Sequence, residues 1–103
     1  MYVLNYWHTV SDYAQWKKIF DSDPLGREAS GVRRVSIERP VDDEHTVIGE
    51  LEFDTLGEAE TFAGRLEAVW KGSASQTMSD AGHRITEVVA QQQFGRESGR
   101  RAA

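Results

Sequence analysis

Apolar and polar residues alternate along two short segments near the middle of the chain, Val32 to Arg39 and Thr46 to Phe53. Alternation with a period of two is typical of strands that bury one face. Pro40 follows the first segment, and proline ends a strand because it cannot donate to the ladder. The acidic turn at 41–44 joins the two segments. The pattern therefore predicts a β-hairpin.

Helical spacing of apolar residues predicts one amphipathic helix on each side of this hairpin. Ser11 or Asp12 can cap the first helix, and Thr55 and Glu58 form a T-x-x-E capping box at the start of the second. The apolar face of the first helix contains Tyr13, Trp16, Ile19 and Phe20. The stripe of the second contains Ala59, Phe62, Ala63, Leu66, Val69 and Trp70.

A third, short helix is predicted from Pro24 to about Ser30. Asp23-Pro24 fits an N-cap followed by proline at the first helical position, and Gly31 suits the end of a helix.

Aromatic and branched residues predict two more strands, one at each end of the chain. The first spans about Tyr2 to His8, with apolar residues on both faces and Asn5 as the polar exception, which suits a central strand. The last runs from Arg84 to about Phe94, after a small polar connection, Gly72 to Gly82, which is a loop or a lid with an optional helical turn at Met78. The predicted order is β-α-β-β-α-β, a ferredoxin-like α+β split sheet.

Size and composition fit one domain, predicted at residues 1–94, followed by a disordered tail at 95–103 that lacks apolar residues. The net charge of −5 argues against a nucleic-acid partner, because a phosphate backbone requires a clustered positive face. No apolar run is long enough to span a membrane, and the N-terminus lacks a signal-peptide pattern. Without cysteine, the chain fits a reducing, cytoplasmic location.

The two helices of this fold cover one side of the sheet and leave the other side open. The open side would combine Arg34, Glu50 and other polar hairpin residues with a large ring of the first strand, Trp7 or Tyr6. One interpretation is a solvated face with cross-strand pairs such as Arg34 to Glu50. An uncovered ring favours the alternative, a homodimer through the sheet face.

Several segments resemble the dimeric α/β barrel superfamily, and within it small cyclase-like and antibiotic-biosynthesis-monooxygenase-like proteins. They are Trp16 to Asp21, Gly31-Val32, Thr46 to Asp54 and Glu58 to Phe62. The resemblance covers about residues 1–94. It implies two sheets paired face to face, with a ligand pocket between each sheet and its helices.

The same resemblance suggests Asn5, Trp70 and His83 as an Asn, Trp and His set like that of haem-degrading relatives, although His83 lies farther from Trp70 than the relatives' histidine does. Together with Trp16, they form the predicted ligand-binding set. The alternatives are a structural amide for Asn5, core packing for Trp70 and a surface histidine for His83. His8 and His45 form no metal-ligand pattern, so neither a metal nor a cofactor is predicted.

Three function classes remain open at this point. The first is a cofactor-independent monooxygenase or cyclase that acts on a planar aromatic or polyketide-like substrate. The second is a module that binds a small apolar or aromatic ligand without turnover, and the third is a structural dimer whose aromatic residues are all core. No catalytic residue can be assigned from the sequence.

Overall fold

The computed structural model describes residues 1–72 and 78–95. Its elements follow the predicted order. They are β1 (Tyr2–Val10), α1 (Tyr13–Asp21), β2 (Val32–Glu38), β3 (Thr46–Phe53), α2 (Leu56–Lys71) and β4 (Met78–Glu87). The strands form one antiparallel sheet in the order β2-β3-β1-β4, which confirms the ferredoxin-like split sheet.

Both long helices begin at the predicted caps. The Asp12 carboxylate accepts a hydrogen bond from the Gln15 amide, and the Thr55 hydroxyl oxygen accepts one from the Glu58 amide at 3.2 Å. These bonds satisfy amide groups that have no partner within the helix.

The core lies between α2 and the sheet. Leu4 and Phe53 are fully buried, and Phe62 of α2 packs against Phe53 with ring centroids 5.7 Å apart. On β1 the buried residues are Leu4, Tyr6, His8 and Val10, so the even-numbered side chains face the helices. The odd-numbered side chains, Trp7 among them, face the open side, which settles the choice between Tyr6 and Trp7.

The predicted short helix from Pro24 to Ser30 is wrong, because the segment forms consecutive turns. Asp23 adopts a left-handed conformation with φ of 56°, and Gly26 follows at 60°. Two left-handed residues so close together prevent a continuous right-handed helix. The Asp23 carboxylate still accepts a hydrogen bond from the Arg27 amide at 2.9 Å, so it caps a turn instead of a helix.

The predicted bounds of the last strand were also wrong. β4 begins at Met78 and ends at Glu87, so Met78 starts a strand instead of a helical turn, and Gly82 pairs with Trp7 inside the sheet. Residues 73–77 of the predicted loop or lid, and 96–103 of the predicted tail, lie outside the described residues.

The predicted Arg34 to Glu50 pair is replaced by Arg34 to Glu52, at 3.6 Å. A register shift between Val32 and Arg34 places Arg34 opposite Glu52 and Ser36 opposite Glu50. The observed register differs by two positions from one that would pair Arg34 with Glu50, so the two residues keep the same face but have other partners.

Candidate functional site

A cavity of about 500 Å³ lies between the two helices and the sheet. Its walls are mainly apolar, with aromatic rings from three elements, and its volume falls in the range of small-molecule sites. The rings belong to Tyr6 and His8 of β1, Trp16 and Phe20 of α1, and Phe62 and Trp70 of α2.

Helix α1 covers this cavity without closing it. None of the residues of α1 is buried, although its apolar face points towards the sheet. Ile19, which lines the cavity, is 54% exposed. An amphipathic helix normally buries its apolar face against the core. Here that face borders open space, so the cavity is the gap left between α1 and the rest of the protein.

The sheet side of the cavity is built by Tyr6 and His8, whose rings stack with centroids 5.7 Å apart at an angle of 8°. Tyr6 lies directly across Gly49 of the neighbouring strand. A Cβ atom at Gly49 would come within 2.3 Å of the Tyr6 ring, so only glycine leaves room for the ring there. Burial raises the pKa of Tyr6 well above its usual value, and the nearby positive charge of Arg27 partly opposes that effect.

His8 is the buried polar group of this site. Its side chain is only 2% exposed, and its Nδ1 atom has no hydrogen-bond partner in the described part of the chain. Trp16 and Trp70 flank the imidazole, with ring centroids 5.7 and 6.0 Å away. Burial lowers the pKa of His8 from 6.5 to about 4, so the ring is neutral at pH 7. Buried polar atoms normally have a partner, so Nδ1 is an unsatisfied hydrogen-bonding group in this wall.

One end of the cavity carries a positive charge. The Arg27 guanidinium lies 3.9 Å from the centre of the Phe20 ring, and its Nη1 donates a hydrogen bond to the Phe20 carbonyl at 3.0 Å. Phe20 in turn stacks on Trp16 at 5.1 Å. Trp16, Phe20 and Arg27 therefore form a continuous column along the wall formed by α1.

The structure brings two of the four predicted ligand-binding residues into the cavity wall, Trp16 and Trp70. His83 lies on the helix-facing side at β4, with its ring 6.1 Å from Trp70, but it does not line the cavity. Its Nε2 is 2.8 Å from the Glu67 carboxylate, and this contact lowers the pKa of Glu67. His83 is thus held by a surface carboxylate.

Asn5 lies on the opposite side of the sheet from the cavity. Its side-chain amide donates hydrogen bonds to the Thr86 hydroxyl at 3.1 Å and to the Val3 carbonyl at 3.3 Å. These contacts agree with the alternative of a structural amide. Asn5, Trp70 and His83 therefore do not converge on one ligand in this protomer.

Four residues line the cavity that were not predicted from the sequence as site residues: Tyr6, His8, Phe20 and Arg27. His8 could have been found, because it lies two positions after Tyr6 and so shares its face of the strand. Arg27 could not have been found, since its place depends on the turns at 23–31 that were predicted as a helix.

The Asn, Trp and His set suggested by the resemblance does not fit haem ligation here. His83, which would be the iron ligand, has its Nε2 at the Glu67 carboxylate and lies outside the cavity lining. Within the described residues, no group of three or more potential ligands is placed to hold a metal ion. Neither helix in the described ranges is long and apolar enough to cross a membrane.

No family model matches the chain, and no curated protein matches it in sequence. Solved structures do match in fold. A protein from Deinococcus radiodurans, provisionally named an antibiotic biosynthesis monooxygenase, superposes with a TM-score of 0.73 at 12% identity, covering 92% of this chain and 99% of its own. A mutant of SnoaB, a cofactor-independent oxygenase from Streptomyces nogalater, gives 0.68 at 13%, covering 87% and 94%.

A mutant of MhuD, crystallised with two manganese protoporphyrin IX molecules per active site, gives a TM-score of 0.69 at 20% identity, covering 91% of this chain and 100% of its own. Other matches, with TM-scores of 0.61 and 0.64, are described as dimeric ferredoxin-like proteins from uncultured marine organisms. At these identities the likeness concerns the fold. The chain therefore has a ferredoxin-like fold, as its sequence predicted.

Proposed function

We propose that this protein binds a planar aromatic or polyketide-like small molecule in the cavity between its helices and its sheet. The observation that carries this proposal is the cavity of about 500 Å³, walled by aromatic rings beneath a helix that has no buried residue. The alternative that all aromatic residues are core does not account for the open apolar face of α1. A flat ligand would bury that face and gain the corresponding hydrophobic free energy.

His8 gives the site a polar contact at its base. A neutral imidazole can accept a hydrogen bond from a ligand hydroxyl at one ring nitrogen, and it can donate one to a ligand carbonyl from the other. The aromatic walls do not discriminate orientation strongly, so one buried polar atom can fix how a flat molecule lies. His8 is therefore the residue we assign to orienting the ligand.

The chemistry proposed for the bound molecule is cofactor-independent oxygenation or cyclisation. SnoaB, which shares the fold, is described as a cofactor-independent oxygenase. The cavity fits such chemistry because it would hold a reactive ligand in one orientation and shield it from water. The role of His8 would be to hold the ligand's hydroxyl or carbonyl.

Binding without turnover is the second candidate, and the pKa of His8 favours it. A base whose conjugate acid has a pKa of about 4 removes a proton weakly at pH 7, since general bases work best with a pKa near the operating pH. His8 is better suited to a hydrogen bond than to proton abstraction. An enzyme would need the ligand itself to be acidic.

The test is a titration with a fused-ring aromatic probe, in which binding is measured by the quenching of tryptophan fluorescence. Two of the three tryptophans, Trp16 and Trp70, line the cavity, and Trp7 lies on the open face. A Trp7→Phe variant should keep the quenching, whereas Trp16→Phe and Trp70→Phe should each lose part of it. Quenching that disappears only with Trp7→Phe would place the ligand on the other face and refute the proposal.

His8→Phe tests the polar contact, because it keeps a flat ring and removes both nitrogens. For a hydroxylated probe we expect about a tenfold loss of affinity, the usual worth of one hydrogen bond in a buried site. His45→Phe is the matched control, since His45 is exposed and lies outside the cavity lining. Oxygen uptake on addition of a fused-ring phenol, without added cofactor, separates the oxygenase from the binding module.

The same protein is proposed to be a homodimer through the open face of its sheet. Trp7 is 39% exposed there, and its ring lies against Gly82, where a Cβ atom would come within 2.7 Å of the indole. An exposed indole in the centre of a sheet face favours a contact that covers it. The dimeric description of proteins with this fold supports the same assembly.

A further inference from the structure

We propose that Arg27 selects, for the cavity, an aromatic ligand that carries one anionic oxygen group, a carboxylate or an ionised hydroxyl. This inference rests on the proposed function and adds the charge of the ligand to it. Arg27 supplies the sole cationic side chain of the cavity wall within the described residues. Its guanidinium is largely covered, with the side chain 21% exposed.

The geometry leaves part of the guanidinium available. Nη1 donates to the Phe20 carbonyl at 3.0 Å, and Nε lies 3.5 Å from the Asp23 carboxylate. No acceptor in the described residues takes a hydrogen bond from Nη2 of Arg27. The hydrogen bond at Nη1 orients the planar guanidinium, so Nη2 points in a defined direction. Charge-assisted hydrogen bonds to oxygen anions are about twice as strong as neutral ones.

The position of Arg27 suits a flat ligand. The guanidinium caps the column of Trp16 and Phe20, so a ring lying against that wall would bring a substituent on its edge towards the charge. Arg27 and Tyr6 both line the cavity, and the positive charge of Arg27 opposes the rise in the pKa of Tyr6. A ligand ring between these walls would have its acidic group at Arg27.

Two carboxylates also border the cavity, and they oppose an anion. Asp12 is exposed and is occupied as the cap of α1. Asp23 faces Arg27 and holds the Arg27 amide, with its side chain 39% exposed. Since the contact of Asp23 with Nε is long and partly solvated, it neutralises the guanidinium incompletely. His8 adds no charge at pH 7.

The experiment compares 2-naphthoate with its neutral isostere 2-naphthamide at pH 7. The native protein should bind naphthoate about tenfold more tightly, as expected for a charge-assisted hydrogen bond. Arg27→Gln should remove that preference and leave naphthamide affinity within about twofold. Arg33→Gln is the matched control, because Arg33 pairs with Asp54 at 2.8 Å and does not line the cavity.

Asp23→Asn provides a test in the opposite direction, and it does not depend on the stability of the Arg27 variant. Asparagine tolerates the left-handed conformation of this position and keeps an oxygen for the Arg27 amide. Removing the competing charge should raise naphthoate affinity about threefold, the size of a partly exposed ion pair. Naphthamide affinity should stay unchanged.

A second arm uses 4-nitrophenol, whose ionised form absorbs visible light, to identify the anionic group. A lowered pKa of the bound probe that Arg27→Gln abolishes supports an ionised hydroxyl, and naphthoate preference without this shift supports a carboxylate. Equal affinities for naphthoate and naphthamide, with no shift of the bound nitrophenol, would overturn the role of Arg27 while leaving the cavity as a ligand site. Failure of all three probes to bind would refute the proposed function itself.

Discussion

The two faces of the sheet are built from the same strands but differ in burial and in the kind of residue they carry. On the helix-facing side, Tyr6 and His8 are buried with their neighbours in an aromatic cluster that ends at a cavity. On the open side, Trp7 is 39% exposed among charged residues such as Glu50 and Arg34. Adjacent residues of β1 thus belong to a ligand-sized pocket and to an exposed surface.

This contrast shows that aromatic content alone does not identify a site. Trp7 is as large as Trp16 and Trp70, but it packs over Gly82 and lines no cavity. The difference arises from α1, which stands away from the sheet and leaves space on one side only. The two faces should therefore differ in stability, pH dependence, association and hydrogen bonding.

The largest expected difference is in stability after loss of one large ring from each face. Phe53→Ala should lower the free energy of unfolding by about 3–5 kcal/mol, because Phe53 is fully buried against Phe62 and its removal leaves a cavity. Trp7→Ala should cost clearly less in the protomer, since its indole is already partly solvated. Urea denaturation measures both, and equal midpoints would contradict the assignment of faces.

His8 should make the stability of the helix-facing side depend on pH. Its pKa is about 4 in the folded protein and 6.5 in the unfolded chain, so the unfolded state binds the proton first. The contribution of the neutral His8 to the free energy of unfolding is therefore fully present above pH 6.5. It is lost as the pH falls from 6.5 towards 4. The loss would reach at most about 3 kcal/mol, since each pKa unit corresponds to about 1.4 kcal/mol.

Denaturation at pH 7, 5.5 and 4.5, with His8→Phe as the comparison, checks this dependence. The variant should lose the part of the pH dependence that comes from His8 and keep the rest. If native protein and variant lose stability in parallel, His8 is solvated and its proposed neutral state at low pH is wrong.

The open face should govern association. Light scattering at micromolar concentration should give a mass of about twice 11.6 kDa for the native chain. Trp7→Ala or Glu50→Lys should weaken the dimer about tenfold or more, the effect of a central interface residue. Val41→Ala is the control, because Val41 is fully exposed in the turn outside both faces. A native monomer would refute the sheet-face dimer.

The smallest effect is expected at Asn5. Asn5→Ala should lower stability by about 0.5–1.5 kcal/mol, because it removes the hydrogen bond to Thr86 on a partly exposed face. Affinity for an aromatic probe should not change, since Asn5 lies across the sheet from the cavity. A thermal melt and a titration on the same variant distinguish the two roles. If Asn5→Ala lost affinity for the probe but kept native stability, Asn5 would be a ligand-binding residue after all.

Sequence patterns predicted the structure best where it depends on interactions between residues close in the chain. β3 has the predicted bounds, and Asp12 and Thr55 cap the helices as expected, because alternation and capping involve neighbouring residues. The turns at 23–31 were predicted as a helix because an Asp-Pro pair serves both structures. Only the backbone shows that Asp23 is left-handed there.

For the site, the sequence by itself determined that aromatic residues would lie between the sheet and the helices, including Trp16 and Trp70. It did not determine which face of β1 was covered, since both faces are rich in apolar residues and a period of two fixes only which residues share a face. The packing of α2 on the even-numbered residues decided that His8 is buried and Asn5 is not. The distance of α1 from the sheet, which no local pattern encodes, decided that a cavity exists and that Arg27 reaches it.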